Sequence, residues 1–351
     1  MGEKEAKAKQ SRPTIRDVAL LAGVSVATVS NVVNGHSHVR PSTKQKVFDA
    51  IDSLGYRASR AAKSLPAGRT FLLAYCLPRD PSPNAPLDVF LHEMVETASQ
   101  ADLEFLLFNK REGEPQTGPY ARILRAGGAD GFVLSGIEYQ DERVKFLSER
   151  DIPFACFGRV DEPEGVAWVD VDGAAGIRAA VQHVHELGHD RLTFVGWPQG
   201  SATGDHRHEG FVEASEALGI SCERIVRCTG EFAHGRLVVP EIMSKFDPTA
   251  IICVSDTIAL GVMAGLREAG LEPGRDIAVT GFDDIPAASL TAPGLTSIRQ
   301  PMQLVGGLLV KRIVARLTGK DEPESVLVEP ELIVRHSTIG ADLGTTNMAS
   351  L

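Results

Sequence analysis

Aromatic side chains are scarce in this 351-residue sequence, making up 6% of it with two tryptophans and four tyrosines. Cysteine is rarer still, five residues spread from Cys76 to Cys253. An odd, widely spaced set does not form a disulfide framework, and runs such as Ile251-Ile252-Cys253-Val254 mark the thiols as small core residues of a reducing compartment. Cys222 and Cys228 lack metal-ligand spacing. His183 and His185 fall on different faces of a helix and His189 follows the Gly188 stop, so no metal is expected. No apolar run approaches the roughly 18 residues that suggest a membrane span, and the charged N-terminus leads into no apolar signal segment; a cytoplasmic location is expected.

Catalytic signatures are missing as well. The sequence holds no Walker loop and no G-x-S-x-G, and its one H-E-x-x-H string, His185-Glu186-Leu187-Gly188-His189, is broken by the Gly188 stop before the second histidine. Asp283-Asp284 is a tempting carboxylate pair, but adjacent residues point in different directions and no base or nucleophile accompanies them. Neither an enzyme nor a cofactor is expected. Positive charge is short too, 36 Lys+Arg against 46 Asp+Glu, a net charge of −10 that by itself disfavours a nucleic-acid partner. Dividing the chain reverses that inference. Residues 1–65 hold 11 Lys+Arg and 5 Asp+Glu, whereas residues 66–351 hold 25 and 41. A small basic head joined to a large acidic body suggests an anion-binding module attached to something else.

What is present begins with hydrophobic pattern. Residues 1–11 are polar and read as a disordered tail. Thr14-Ile15-Arg16-Asp17 reads as a helix cap, followed by Ile15, Val18, Ala19 and Ala22 at helical spacing and stopped by Gly23. Ser25 caps a second helix with Val26, Val29 and Val33, and Pro41 opens a third whose buried stripe is Val47, Ala50, Ile51 and Leu54. Three short helices with a tight turn between the first two make a helix-turn-helix over 12–56. In that motif the start of the second helix meets base edges in the major groove. With Val29 and Val33 facing the core, Val26, Ala27, Ser30 and Asn31 face outward. Small apolar groups suit a thymine methyl and Asn suits adenine. Thr14, Ser25, Thr28, Asn34, His38, Arg40 and Thr43 form a set of donors for phosphates.

Residues 57–69 read as a short helix and linker, too short to be stable unless docked. From Phe71 the texture becomes βα alternation. Strands are expected at 72–77, 105–108, 131–134, 154–157, 192–195, 251–254 and 277–280, and helices at 88–101, 173–187, 207–218 and 257–269. Apolar strands between amphipathic helices imply two parallel sheets covered on both faces.

TIRDVALLAGVSVATVSNVVNG (Thr14–Gly35) and VRPSTKQKVFDAIDSLGY (Val39–Tyr56) closely resemble the DNA-binding head of the lactose-repressor and galactose-repressor family of bacterial transcription regulators. The resemblance implies that Val26, Ala27 and Asn31 set operator preference. It also implies that Tyr56–Leu65 is a hinge helix that folds on the operator, with Ala62 in the minor groove and Leu65 as the leucine wedge. Ala58-Ser59 departs from the Pro-Asn usual there.

Further resemblance runs through Val169–Asp172, His185–His189, Gly204–Phe211, Ser255–Gly261, Thr280–Asp284 and Pro330–Arg335. It implies a periplasmic-binding-protein-like core at 70–340, with an N-subdomain at about 70–168 and 298–325, a C-subdomain at about 169–292 and 326–340, and a tail at 341–351. An effector lies between the subdomains. Arg207, a bidentate donor, and Asp283, a carboxylate acceptor, coincide with the family's effector contacts. Trp168, Phe232 and Met302 fall at apolar or aromatic pocket positions, and Asp88 and Gln300 at polar ones. Ser255 stands where many sugar-binding members carry Asn or Asp, which leaves the ligand open.

The expected protein is a homodimeric repressor of a carbohydrate-utilisation operon, bound to palindromic operator DNA and relieved by a sugar. No leucine heptads follow Gly340, so a dimer is expected rather than a tethered tetramer. A corepressor-type regulator answering to a purine or a protein partner, and a cytoplasmic solute-binding protein, remain the alternatives.

Overall fold

The computed structural model describes residues 13–33, 39–56, 69–78, 87–161, 166–320 and 324–340. The chain divides into two compact units, residues 1–71 and 72–351.

In the first unit the turn chemistry of the sequence is realised. The Asp17 carboxylate accepts the Thr14 backbone N–H and hydroxyl, both at 2.7 Å, and starts α1 (Ile15–Ala22). Gly23 ends it in the left-handed region at φ 67°, where a side chain would be strained. The Ser25 hydroxyl oxygen accepts the Thr28 N–H at 3.1 Å and opens α2 (Val26–Val33) at 104° to α1. Arg40 and Pro41 lead into α3 (Pro41–Leu54), closed by Gly55. Val18, Ala19, Val29, Val32, Val47, Ala50 and Tyr56 form the shared core, with Ile51, Leu54 and Val33 packed at its edge. One expectation is corrected here: Val32, not Val33, joins Val29 as the buried pair. Both lie within about a turn of Val29, and packing against the other two helices decides between them.

The second unit repeats one plan twice. Its first sheet holds β1 (Leu72–Leu77), β2 (Glu104–Asn109), β3 (Gly131–Leu134), β4 (Phe154–Phe157), β5 (Trp168–Val171) and β11 (Val326–Val328), in the order β11-β5-β4-β3-β1-β2, all parallel. The second holds β6 (Leu192–Gly196), β7 (Ile225–Arg227), β8 (Ala250–Cys253), β9 (Ala278–Asp283), β10 (Thr296–Arg299) and β12 (Glu331–Ile333), in the order β12-β10-β9-β8-β6-β7 with only β12 antiparallel. Strands such as β3 and β8 are buried along their whole length, because helices cover both faces.

The first lobe carries α4 (Leu87–Gln100), α5 (Gly118–Arg125) and α6 (Glu142–Ser148). The second carries α7 (Gly173–Glu186), α8 (Ala202–Ala217), α9 (Phe232–Leu237), α10 (Val239–Phe246), α11 (Asp256–Glu268) and α12 (Pro286–Leu290). Helix α13 (Met302–Leu317) returns to pack on α4, and α14 (His336–Ile339) lies on β9 and β10. Close approach of α9 and α11 depends on Gly235 and Gly261, where a Cβ would strike the Ile258 and Phe232 carbonyl oxygens.

The chain passes between lobes three times, at 171–173, 299–302 and 328–331. The expected subdomain boundaries are therefore corrected. Residues 169–171 and 326–328 belong to the first sheet and Thr296–Arg299 to the second. Segments of this length pair equally well with either sheet, so their placement follows from tertiary contacts that periodicity does not encode.

Among the described residues no single helix is long and apolar enough to cross a membrane. Cys156 and Cys253 are buried and the other three thiols partly so, none in a disulfide. His183 Nε2 meets the Thr338 hydroxyl at 2.9 Å, and His185 pairs with Asp190. The tail 1–11, the hinge candidates at 57–68 and the segment 341–351 lie outside the described residues.

Candidate functional site

On the head, α2 presents Val26, Ala27 and Asn31 to solvent, with Ser30 half-buried beside them. Val26 is 42% exposed although it is β-branched and apolar, while Val29, one turn on, is fully buried. The outward row holds no charge and can approach base edges closely. Thr14, Ser25 and Arg40 are exposed and Thr28 and Thr43 half-buried, all at or beside helix starts, where backbone N–H groups also favour phosphate. The Ser25 and Thr28 hydroxyls lie 2.9 Å apart. Asn34, His38, Ala62 and Leu65 lie outside the described residues.

In the core, strand order reverses beside β1 and β3 in one sheet and beside β6 and β8 in the other. Parallel α/β sheets open a crevice at such points. At the second of them Arg207, on α8, is 4% exposed. Its Nη1 donates to the Val254 carbonyl at 2.6 Å, its Nη2 lies 3.3 Å from Asp283 Oδ1, and its guanidinium carbon sits 3.6 Å from the Phe282 ring centroid. Gln300 Nε2, in the second crossing, donates to the same Asp283 oxygen at 2.6 Å.

Asp283 ends β9 at φ 108° and Asp284 follows at φ 48°, conformations that cost non-glycine residues about 1–3 kcal/mol each and concentrate at functional sites. The two carboxylates diverge as expected. Asp284 faces Arg299 and Arg335, both at 2.7 Å. Beneath them, Asp256 accepts the Ile285 N–H at 2.8 Å and the Ser297 hydroxyl at 2.5 Å, pinning the turn that aims Asp283. Burial pushes the Asp283 carboxyl up to about 7 against the opposing pull of Arg207, and Asp170 to about 6. Arg207 Nε, Ser255 Oγ and Trp197 Nε1 are buried without a protein partner.

The structure thus brings together Arg207, Asp283 and Gln300, with Ser255 directly after Val254. It brings no hydrogen bond, ion pair or ring contact from Asp88, Trp168, Phe232 or Met302 to that group among the described residues. Asp88 is exposed in the first turn of α4, and Trp168 is half-buried against the first-lobe core. Phe232 is 46% exposed at the start of α9, and Met302 is buried at the start of α13.

This architecture has relatives. The model of the bacterial regulatory proteins of the lacI family matches residues 14–59, and that of the periplasmic binding protein-like domain residues 181–338. The chain is 33% identical to the HTH-type transcriptional regulator CelR of Thermobifida fusca over 94% of its own length and 99% of that protein's. The chain belongs to the lacI family of bacterial regulatory proteins. A solved complex of CelR with cellobiose is 30% identical, with TM-score 0.69 over 93% of this chain and all of that one. The lac repressor dimer bound to operator and the anti-inducer ONPF is 25% identical, with TM-score 0.83 over 94% and 100%. As a lacI-family chain it is a DNA-binding transcriptional regulator and not an enzyme.

Sequence reasoning missed one residue that packs on this group in the lacI-family chain. Trp197 follows β6 at the reversal point and its ring centroid lies 5.4 Å from the Arg207 guanidinium. A tryptophan after an apolar strand looks like core packing. The signal lay in its place at a strand's carboxyl end, immediately before Pro198 and the turn into α8.

Proposed function

We propose that the chain is a homodimeric repressor of a carbohydrate-utilisation operon, released from a palindromic operator when a neutral sugar enters the crevice between the core lobes. Support comes above all from the buried Arg207–Asp283 pair, whose surroundings leave Arg207 Nε and Ser255 Oγ unpartnered. Buried polar atoms without partners are costly, and a polyol offers hydroxyls that both donate and accept. Arg207 and Asp283 lead the effector set, with Ser255 and Gln300 beside them and Trp168, Phe232, Met302 and Asp88 on the walls. On DNA, Val26, Ala27, Ser30 and Asn31 read bases. Thr14, Ser25, Thr28, Asn34, His38, Arg40 and Thr43 hold phosphates, and Ala62 and Leu65 enter the minor groove.

The coupling is a two-state equilibrium that the sugar biases by binding one lobe arrangement better. The interactions for such a bias exist. Gln300 belongs to a crossing and touches Asp283, the Arg207 stem lies 3.0 Å from where a Gly173 Cβ would stand in another crossing, and Glu138 of the first lobe accepts the Ala202 N–H of α8 at 3.1 Å. The test is operator binding to the gene's own upstream DNA with cellobiose, other disaccharides and purines, paired with calorimetry. A sugar that binds and weakens the operator complex is expected. Strengthening by a purine overturns the inducer reading in favour of a corepressor.

A further inference from the structure

We propose that Trp197 is a positioning residue, holding the Arg207 guanidinium in its ligand-ready orientation; this rests on the reading of Arg207 as an effector contact. Pro198 restricts the Trp197 backbone to extended conformations, and the Trp197 carbonyl is anchored by the Arg227 Nη1 donor at 2.8 Å. The indole then lies against the first turn of α8. A Cβ on Gly204 would stand 3.2 Å from Trp197 Cε3 and 3.4 Å from Trp197 Cβ, so glycine at 204 lets the ring seat there. Arg207 follows one turn along the same helix face.

Its guanidinium meets two aromatic rings, Phe282 at 3.6 Å and Trp197 at 5.4 Å. Phe282 sits on β9 beside Asp283, so it moves with the carboxylate. Trp197 follows β6 and fixes the fork from a different strand. Arginine side chains carry large rotamer freedom, and a planar cation held against ring faces gives up that freedom before the ligand arrives. Nε, the one guanidinium nitrogen with neither partner nor solvent, is kept available by this arrangement.

The test uses the full-length protein with 15N-labelled arginine, the Arg207 Nε–H signal being identified by its loss in Arg207→Lys. Trp197→Phe keeps a ring face, while Trp197→Leu keeps apolar bulk without one. The signal is expected to stay sharp in the parent and in Trp197→Phe and to broaden away in Trp197→Leu. With cellobiose as the probe, affinity is expected to stay within about threefold in Trp197→Phe and to fall at least about tenfold in Trp197→Leu, with sugar-free operator affinity unchanged. A sharp Arg207 signal in Trp197→Leu overturns the proposal. So does a Phe variant as damaged as the Leu variant, since that would mean an indole interaction with the sugar itself. If Trp197→Leu does not fold, Gly204→Val, whose Cβ would stand 3.2 Å from the indole and whose methyls reach into its place, displaces the ring and is expected to broaden the same signal; an unchanged signal overturns the proposal. Failure of the parent to bind cellobiose counts against that sugar alone, because the arginine signal needs no ligand.

Discussion

At the scale of single residues the core site is a set of buried ionisable groups, and burial dictates its response to pH. The Asp283 carboxyl, pushed up to about 7, keeps its proton in the native chain where the unfolded chain has released it. Stability contributed by this group is therefore lost as pH rises from about 4 towards 7. Burial raises Asp170 and Asp256 in the same direction. The histidines that burial holds low, His183, His189, His206 and His208, act in the opposite sense, so the test is a difference: the urea-unfolding free energy of Asp283→Asn relative to the parent's is expected to rise between about pH 5 and 7, and a flat difference would refute this. Arg207 and Asp283 were legible in the sequence because the stretches that hold them, Gly204–Phe211 and Thr280–Asp284, resemble the family's. Trp197 was not, because its role exists only where β6 and α8 meet. The φ of 108° at Asp283 was equally hidden, since the turn that follows it is bonded to Asp256 and Ser297 from other elements.

At the scale of elements, α2 shows how one helix divides its work. Val29 and Val32 hold it to α1 and α3, while Val26, Ala27 and Asn31 face outward. Substitutions on the two faces should separate. Val29→Ala leaves a cavity in a small core, expected to cost about 1–3 kcal/mol and to weaken binding to every DNA sequence alike. Ala27→Gln touches no packing and is expected to change which operator is preferred while the melting temperature holds. Reporter binding to an operator library, alongside calorimetric melting, distinguishes the two; a uniform loss from Ala27→Gln would remove that residue from base reading. Long periodic helices and uniformly apolar strands were readable because their burial repeats along the chain. The short β5, β10 and β11 were not assigned to their sheets, because so short a pairing carries no address of its own.

At the scale of the whole molecule, charge is divided between two units. The head's 11 Lys+Arg against 5 Asp+Glu favour an anionic partner, and the acid excess of the remainder disfavours one. Salt titration of operator binding should reflect this division. Arg40→Gln on the head is expected to reduce the log–log salt slope by about 0.9 for each phosphate that Arg40 neutralises in the parent. Arg275→Gln on the core, where Arg275 pairs with Asp276, is expected to leave it unchanged; an equal reduction would place the core on the DNA. By itself the sequence determined the helix-turn-helix, the two-sheet α/β core, the family, and the identity of the buried cation and carboxylate. These rest on local periodicity, capping and short motifs, which act within a few residues. Only the tertiary structure decided which lobe each crossing strand joins, which valine of α2 is buried, and which aromatic rings meet Arg207. Those are interactions between segments far apart in the chain, and their energies depend on packing that no local pattern specifies.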